Sequence, residues 1–348
     1  MIQLYTGTDF NEPQNTGYAH PLLQYLFLRF EKLEELFQLT AMLATADFVV
    51  LPLAIEYFQT TAQKHYLHAF VTTAKQNNKP ILLFSTGDFG TTLQERTIFT
   101  LRLGGFDSLL NTRTEIMSPF IEDPLLLLGL KFKTLAKTQE PQIGFVGHAN
   151  GGVLKYGKEI LLFAKGNARR LIGKDTTDYQ HFYPSSYYRN KYLKKIQKKQ
   201  GIVTHFIFRK HYRAGIVTMA DKRETSLEFY TNIFQNQYVF CLRGTGNFSV
   251  RLYETLALGR IPVLINTDCR LPFQTQINWK SHCLFIEEHD VDKIGEKILE
   301  FHNTLTPTAF EKWQKDNRAL WQTYFTKENY FVQYAKVVHD YLLTIAND

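Results

Sequence analysis

The stretch Tyr238–Asp268, YVFCLRGTGNFSVRLYETLALGRIPVLINTD, decides the fold. It begins as an apolar strand, passes through a glycine-containing loop and continues as a helix from Val250 to Leu258. Gly259 is a typical helix stop, and Ile261–Asn266 follows it as a second apolar strand. A strand, a helix and a further strand in this order predict a parallel sheet that is covered by helices.

The loop between the first strand and the helix has the features of a phosphate site. Its glycines let a ligand approach the backbone closely, and Ser249 is a good N-cap for the helix that follows. Free N–H groups and the positive end of the helix dipole favour an anion there, and arginines on both sides can add charged hydrogen bonds. We therefore expect phosphate groups to lie against Arg243, Gly244, Thr245, Gly246, Asn247, Ser249 and Arg251.

Four interpretations of this segment remain open. A clamp for a sugar-nucleotide diphosphate uses both arginines, and it lets Glu254 accept hydrogen bonds from sugar hydroxyls. An NAD(P)-dependent oxidoreductase could use the Gly244 loop with Asp268 about 20 residues further on, but the third glycine of that fingerprint is absent. A non-catalytic protein that binds nucleotide-sugars or glycans would use the same residues. In the plainest interpretation, Arg251 and Glu254 only pair on a solvated helix face.

The rest of the chain repeats the alternation of apolar strands and helices, so the predicted fold class is α/β with two doubly wound lobes. In the first half, Asp47–Leu53 and Pro80–Phe84 are predicted strands, and Pro21–Thr45 is predicted as helix. A polar stretch near Lys131–Pro141 marks a boundary. We predict an N-terminal lobe over 1–135, a C-terminal lobe over 136–325, and a final helix, 326–348, that packs back on the N-terminal lobe.

Composition restricts the class of protein. The chain has 348 residues with 44% hydrophobic and 21% charged residues, which excludes a largely disordered protein. Its net charge of +7 divides unevenly, with −3 in residues 1–135 and +10 in the remainder. A basic C-terminal half indicates an anionic ligand. Three cysteines without a paired spacing, and no visible signal peptide or membrane span, predict a cytoplasmic protein.

The segment Tyr238–Phe273 closely resembles the signature of the exostosin family, glycosyltransferase family 47. The shared features are an aromatic-Cys-Leu strand, an Arg-Gly loop, Ser-x-Arg-Leu-x-Glu, and Gly-x-Ile-Pro-Val. Ala46–Leu53 and Gly87–Gly90 resemble two N-terminal motifs of the family more loosely. Gly87 stands where the family has His, and Thr255 replaces the Ala that follows the glutamate.

The resemblance implies a GT-B fold, with two Rossmann-like lobes and a cleft between them. It implies inverting transfer of a sugar from a nucleoside diphosphate, with UDP as the expected nucleotide, to a glycan or lipid-linked saccharide. The donor would bind the C-terminal lobe and the acceptor the N-terminal lobe, without a cofactor or an obligatory metal. By position, Arg243 and Arg251 would hold the diphosphate and Glu254 the ribose.

Further site residues follow from their places at strand ends. Arg209 and Arg213 follow the predicted strand Ile202–Phe208, so either could reach the diphosphate. Inversion needs a general base near the acceptor hydroxyl. Asp88 is the first candidate because it follows a buried strand in a glycine-flanked loop, and Glu56 and Asp9 are the alternatives.

The run Arg189–Lys199 contains six basic residues and no acidic residue. A solvated helix face is one interpretation, and peripheral contact with anionic lipid at the inner face of the membrane is another. Nucleic acid is not an expected partner, because the aromatic residues recur at core spacings instead of between lysines and arginines. No spacing of His, Cys, Asp and Glu indicates a metal site.

Overall fold

The computed structural model describes residues 1–7, 17–60, 63–209 and 218–346. In the described part of the N-terminal half, six parallel strands form one sheet in the order β2-β1-β3-β4-β5-β6. The strands are β1 (Ile2–Tyr5), β2 (Phe37–Leu39), β3 (Phe48–Val50), β4 (Ile81–Ser85), β5 (Ile98–Arg102) and β6 (Thr114–Ile116). The helices are α1 (Pro21–Phe27), α2 (Glu31–Glu34), α3 (Ile55–Thr60), α4 (Lys64–Gln76) and α5 (Pro124–Leu128), and Leu43–Thr45 forms a 3₁₀ turn.

The C-terminal half repeats this design, with five parallel strands among its described residues in the order β11-β10-β9-β7-β8. These are β7 (Gln142–His148), β8 (Val203–Arg209), β9 (Tyr238–Cys241), β10 (Ile261–Asn266) and β11 (Leu284–Glu287). The helices are α6 (Val153–Leu171), α7 (Ser185–Gln197), α8 (Met219–Gln235), α9 (Val250–Ala257), α10 (Ile294–Thr304), α11 (Pro307–Tyr324) and α12 (Lys327–Ala346). Two 3₁₀ turns lie at Trp279–Ser281 and Glu288–Lys293.

The apolar runs of the sequence form strands because they are buried on both faces. Every residue of β3, β4, β5 and β9 is buried. Parallel sheets with helices on both sides require such continuous apolar strands, since neither face meets water. The predicted architecture of two doubly wound parallel lobes is therefore confirmed.

One prediction within the N-terminal lobe is wrong. Pro21–Thr45 is not one helix, because the chain forms two short helices and then β2, which pairs in parallel with β1. Arg29 adopts a left-handed backbone conformation with φ of 54°, which interrupts the helix. Leu33 and Phe37 are both buried in the core. Apolar residues that are three or four positions apart fit one face of a helix. Here Leu33 belongs to a helix and Phe37 to a strand, and both are buried in the same core.

The last helix, α12, lies against the N-terminal sheet. The hydroxyl of Tyr330 donates to the carbonyl oxygen of Ile116 at 2.8 Å, and that of Tyr341 donates to the carbonyl of Arg96 at 3.0 Å. Tyr341 also stacks on Phe48 of β3. These contacts bring the end of the chain back to the first lobe.

Candidate functional site

The topology of the C-terminal sheet creates a crevice between β7 and β9. The chain runs from β7 outward to β8, then crosses back to β9 on the other side and continues to β10 and β11. Neighbouring connections leave β7 and β9 in opposite directions, so a gap opens at the carboxyl ends of these strands. Open α/β sheets bind ligands at such a switch point.

A cavity of about 480 Å³ occupies this crevice. It is bounded by the ends of β7 and β8, the loop before α9, the first turns of α6 and α7, and Asp88 from the N-terminal lobe. Its charged lining residues are Asp88, Lys155, Glu159, Arg189, Arg209, Arg251 and Glu254. A larger depression of about 670 Å³ lies elsewhere, around Gln274–Lys280; Asp268 of the NAD(P) interpretation lines it, but none of the described residues predicted to bind the donor or to act as the base does.

The loop that opens the cavity is held close to the other lobe. Gly244, Thr245, Gly246 and Ser249 line the cavity, as the sequence predicts for a ligand-facing loop. A Cβ on Gly246 would lie within 2.4 Å of the carbonyl oxygen of Asp88, so only glycine permits this contact between the lobes. Ser249 occupies the N-cap position of α9, but its side chain makes no capping hydrogen bond. The N–H groups of the first turn of α9 therefore point towards the cavity without a side-chain cap.

Arg251 is the cation that is built most firmly into the cavity wall. Its Nη2 donates to the carbonyl oxygen of Val146 at 2.7 Å, and its guanidinium lies 4.3 Å from the ring centre of Phe145. A Cβ on Gly147 would approach Nη2 within 2.8 Å, so this glycine makes room for the guanidinium. The buried Nε has no hydrogen-bond partner, and burial lowers the pKa of Arg251. A buried cation with an unused donor favours binding of an anion.

Glu254 lies one helical turn further along α9 and also lines the cavity. Burial raises the pKa of its carboxyl to about 7, against the opposing effects of Arg251 and of a hydrogen bond from Tyr230. The hydroxyl of Tyr230 donates to Oε1 at 3.3 Å. At neutral pH this carboxyl group therefore exchanges readily between its acid and carboxylate forms, and it can meet sugar hydroxyls without the full charge of an ordinary glutamate.

Two predicted donor-binding residues do not reach this cavity with their side chains. Arg243 is buried against the rings of Phe106 and Tyr183, and it donates to the carbonyl oxygen of Thr245 at 2.9 Å. Asn247 donates to carbonyl oxygens from both lobes, including that of Gly105. Both side chains thus fix the shape of the loop and its contact with the N-terminal lobe.

Of the two arginines predicted to reach the diphosphate after β8, only Arg209 lies within the described residues. Arg209 lines the cavity, where its Nη2 forms an ion pair with Glu228 at 2.6 Å and donates to the carbonyl oxygen of Thr225. An anionic ligand would have to share this guanidinium with Glu228. Arg213 lies outside the described residues.

The three candidates for the general base are separated clearly by their positions. Asp88 lines the cavity, and burial raises the pKa of its carboxyl while Arg243 lowers it. Glu56 instead accepts hydrogen bonds from the hydroxyl of Ser85 at 2.6 Å and from the N–H of Thr86 at 2.9 Å, below the loop that carries Asp88. It does not line this cavity. Asp9 lies outside the described residues.

Arg189 and Lys155 line the cavity as well, although neither was among the predicted site residues. Arg189 of α7 donates to the carbonyl oxygens of His148 and Arg243, so it points inward. Its spacing from Tyr192 and Ile196 places it on the same helix face as these buried residues, and that spacing could have revealed it. Lys155 belongs to α6 and pairs with Glu159 at 3.2 Å.

The structure also bears on two other expectations. The side chain of Asp268, the acidic residue of the NAD hypothesis, accepts hydrogen bonds from the N–H and the hydroxyl of Ser108 across the lobe boundary. It is therefore already used in a structural contact. Helix α7 offers no apolar face to a membrane, because Tyr192 and Ile196 are 2% and 0% exposed. Its Lys195 and Lys199 form ion pairs with Asp292 and Glu296.

Within residues 1–7, 17–60, 63–209 and 218–346, no three His, Cys, Asp or Glu side chains are grouped as they would be to hold a metal ion. In the same described ranges, no helix has the length and apolar character needed to cross a membrane.

Comparison with known protein families finds that residues 139–300 match the exostosin GT47 domain. A probable glucuronoxylan glucuronosyltransferase (IRX7) of Arabidopsis thaliana is 35% identical over 79 residues, which cover 23% of this chain and 17% of that protein. Exostosin-1 of Drosophila melanogaster is 29% identical over 107 residues, covering 30% of this chain and 13% of that protein. The chain thus spans less than a fifth of the length of these relatives.

Among solved structures, a glycosyltransferase from Rickettsia africae aligns with 98% of this chain and 98% of its own, at 11% identity and a TM-score of 0.40. At so low a score, the assignment of the fold rests on the two sheets themselves. The matched family segment contains β7 to β11 and most of the lining of the cavity.

Proposed function

We propose that this chain, whose residues 139–300 match the exostosin GT47 domain, is a glycosyltransferase that uses a nucleoside-diphosphate sugar as donor. One observation carries this proposal. The cavity at the β7–β9 switch point combines the first turn of α9, the buried Arg251 and the carboxyl group of Glu254 within the matched family segment. These groups suit the phosphates and the ribose of such a donor.

In the proposed complex, the diphosphate lies against the N–H groups that follow Gly244 and against Arg251. The leaving diphosphate gains negative charge as the bond to the sugar breaks, and fixed donors stabilise that charge without rearranging. Arg189 and Lys155 add positive charge on the opposite wall of the cavity. Glu254 accepts hydrogen bonds from the ribose hydroxyls. We propose uridine diphosphate as the nucleotide, and the names of the relatives make a glucuronosyl donor the first to test.

We propose Asp88 as the general base. It is contributed by the N-terminal lobe, which would bind a glycan or lipid-linked saccharide, while the donor lies on the C-terminal lobe. Asp88 lines the cavity, and its raised pKa makes it a better proton acceptor than an ordinary aspartate. Attack of the acceptor hydroxyl on the face opposite the leaving group gives inversion at the anomeric carbon. Glu56 has a supporting role, because it holds the end of β4 through Ser85 and Thr86.

Turnover measurements test this assignment. Release of uridine diphosphate from UDP-sugars is followed with glycan acceptors present, for the wild type, Asp88→Asn and Glu56→Gln. We expect Asp88→Asn to lower kcat by about a hundredfold or more with unchanged donor affinity, as is usual for loss of a general base. Glu56→Gln should lower the melting temperature, while its kcat should stay close to that of the wild type. Wild-type turnover by Asp88→Asn would remove Asp88 from the mechanism.

A further inference from the structure

Helix α6 exposes an unusually large apolar surface for a helix of a globular lobe. None of its residues, Val153–Leu171, is buried. Leu154, Leu161 and Leu171 are 93%, 72% and 88% exposed, and Val153 and Leu162 are exposed as well. Contiguous aliphatic side chains of this kind mark a surface that contacts a partner or a membrane.

The opposite side of α6 is attached to its own lobe. Tyr156 packs edge-on against Phe182 and Tyr187, and Phe163 packs against Phe182. Towards the end of the helix, Arg170 donates to the carbonyl oxygen of Thr177. These contacts fix which side of the helix faces outward, so the exposed leucines belong to an oriented face.

Basic residues lie beside the exposed leucines. With 3.6 residues per turn, Leu154 and Leu161 point in one direction, and Lys158, Lys165 and Arg169 form an exposed row next to them. In α6 the single acidic side chain, Glu159, lies on the inner side at the cavity and pairs with Lys155. An aliphatic stripe flanked by lysine and arginine is the pattern of helices that lie in the interface of an anionic bilayer.

We propose that α6 binds the surface of an anionic lipid membrane, with its leucines inserted and its basic row at the headgroups. Charge complementarity selects this occupant over a second copy of the chain. A symmetric dimer through the same face would bring Lys158, Lys165 and Arg169 of both copies together. Helix α7, which the sequence made the candidate for membrane contact, buries its apolar residues instead.

This orientation has a consequence for the cavity. The inner side of α6 contributes Lys155 and Glu159 to the cavity lining, so the outer face is separated from the cavity by one helix, about 10 Å across. Bound membrane would therefore lie close to the cavity mouth. This geometry would bring a lipid-linked saccharide acceptor to the donor, a point that rests on the proposed function.

Flotation of the full chain with lipid vesicles tests the proposal. The vesicles contain phosphatidylcholine alone or with phosphatidylglycerol. We expect binding only with phosphatidylglycerol. The double variant Lys158→Glu, Lys165→Glu should reduce binding by roughly thirtyfold or more, because each lysine near an anionic surface contributes about a fivefold factor. Leu154→Asp with Leu161→Asp should also abolish binding, since it removes the inserted side chains.

Two matched controls make the result specific to α6. Lys194→Glu with Lys198→Glu makes the same charge change at exposed positions in α7 and directly after its last residue, and Leu126→Asp changes an exposed leucine of α5. Both should float like the wild type. No wild-type binding, or equal binding by the α6 variants, would overturn the proposal. The proposal would also be overturned if the wild type does not bind vesicles and instead forms a dimer in sedimentation velocity. In that case Leu154→Asp with Leu161→Asp should dissociate the dimer. Neither assay uses a donor or acceptor, so these outcomes are independent of the proposed transferase activity.

Discussion

Glu254 should destabilise the folded protein at neutral pH, because its carboxyl group is buried in the cavity wall. Burial raises its pKa to about 7 from 4.5. The folded protein therefore holds a proton that the unfolded chain has released between these pH values. Stability is greatest below the unfolded pKa, falls as the pH rises towards 7 and is level above it. The difference between 4.5 and about 7 corresponds to about 3 kcal/mol.

Glu254→Gln removes the ionisation and keeps the shape of the side chain, and its amide oxygen can still accept from Tyr230. We expect the free energy of unfolding of the variant to exceed that of the wild type by about 3 kcal/mol at about pH 8. The difference should disappear near pH 4. Urea unfolding of both proteins across this pH range, followed by tryptophan fluorescence, measures it.

A matched control is Glu228→Gln, which changes the partly exposed carboxylate paired with Arg209. It should lower the free energy of unfolding by at most about 1 kcal/mol, the usual range for such a pair. Equal stability of Glu254→Gln and the wild type at all pH values, or a less stable variant at about pH 8, would contradict a raised pKa of Glu254 in the folded protein. It would mean that the glutamate is solvated or fully paired in the folded protein.

Three other predictions concern the same site. Hydroxyl groups of a bound UDP-sugar should lower the pKa of Glu254. The affinity for the UDP-sugar, measured by calorimetry, should therefore rise with pH up to about 7 and then level off. Glu254→Gln should show no such rise. Gly246→Ala should lower the free energy of unfolding by about 1–3 kcal/mol in denaturant titrations, because its Cβ meets the Asp88 carbonyl oxygen, while Gly244→Ala, which meets nothing within 4 Å, should not. A chelator should leave the initial rate of sugar transfer unchanged, because Arg251 and the first turn of α9 stabilise the leaving group; a loss restored by a divalent cation would show that a metal takes part.

The fold could be predicted from the sequence because buried parallel strands require continuous apolar runs. DFVVLPL in Asp47–Leu53 and YVFC in Tyr238–Cys241 are such runs, and both form central strands. The edge strand β2 could not be predicted. It has only three residues, and its one buried residue, Phe37, continues the spacing of the preceding helices. Pairing with β1, which is distant in sequence, decides its conformation.

The candidate site was predictable where local spacing determines direction. The glycines before α9, together with Arg251 and Glu254, lie on one loop and one helix face, and the structure brings them to one cavity. Arg243 and Asn247 lie in the same loop, but contacts with the distant Phe106 and Gly105 turn their side chains away. Local sequence does not reveal which of several polar loop residues will meet the other lobe.

The surface of α6 was not predictable for a related reason. Its leucines have the spacing of a helix that is buried on one side, and spacing alone does not show which side meets the lobe. The aromatic contacts of Tyr156 and Phe163 determine this, and they leave the leucines outside. In α7 the opposite holds, since the apolar positions face the core and most of the lysines remain at the surface.

A calorimetric titration of the protein with uridine diphosphate tests the proposed donor site directly. We expect one site per chain, and we expect Arg251→Met to weaken binding by at least about tenfold, because a charged hydrogen bond to phosphate is lost while the packing on Phe145 is kept. Arg169→Met, which removes an exposed charge from α6, should bind like the wild type. Unchanged affinity in Arg251→Met, or no binding by the wild type, would contradict a donor site at the junction of β7 and β9.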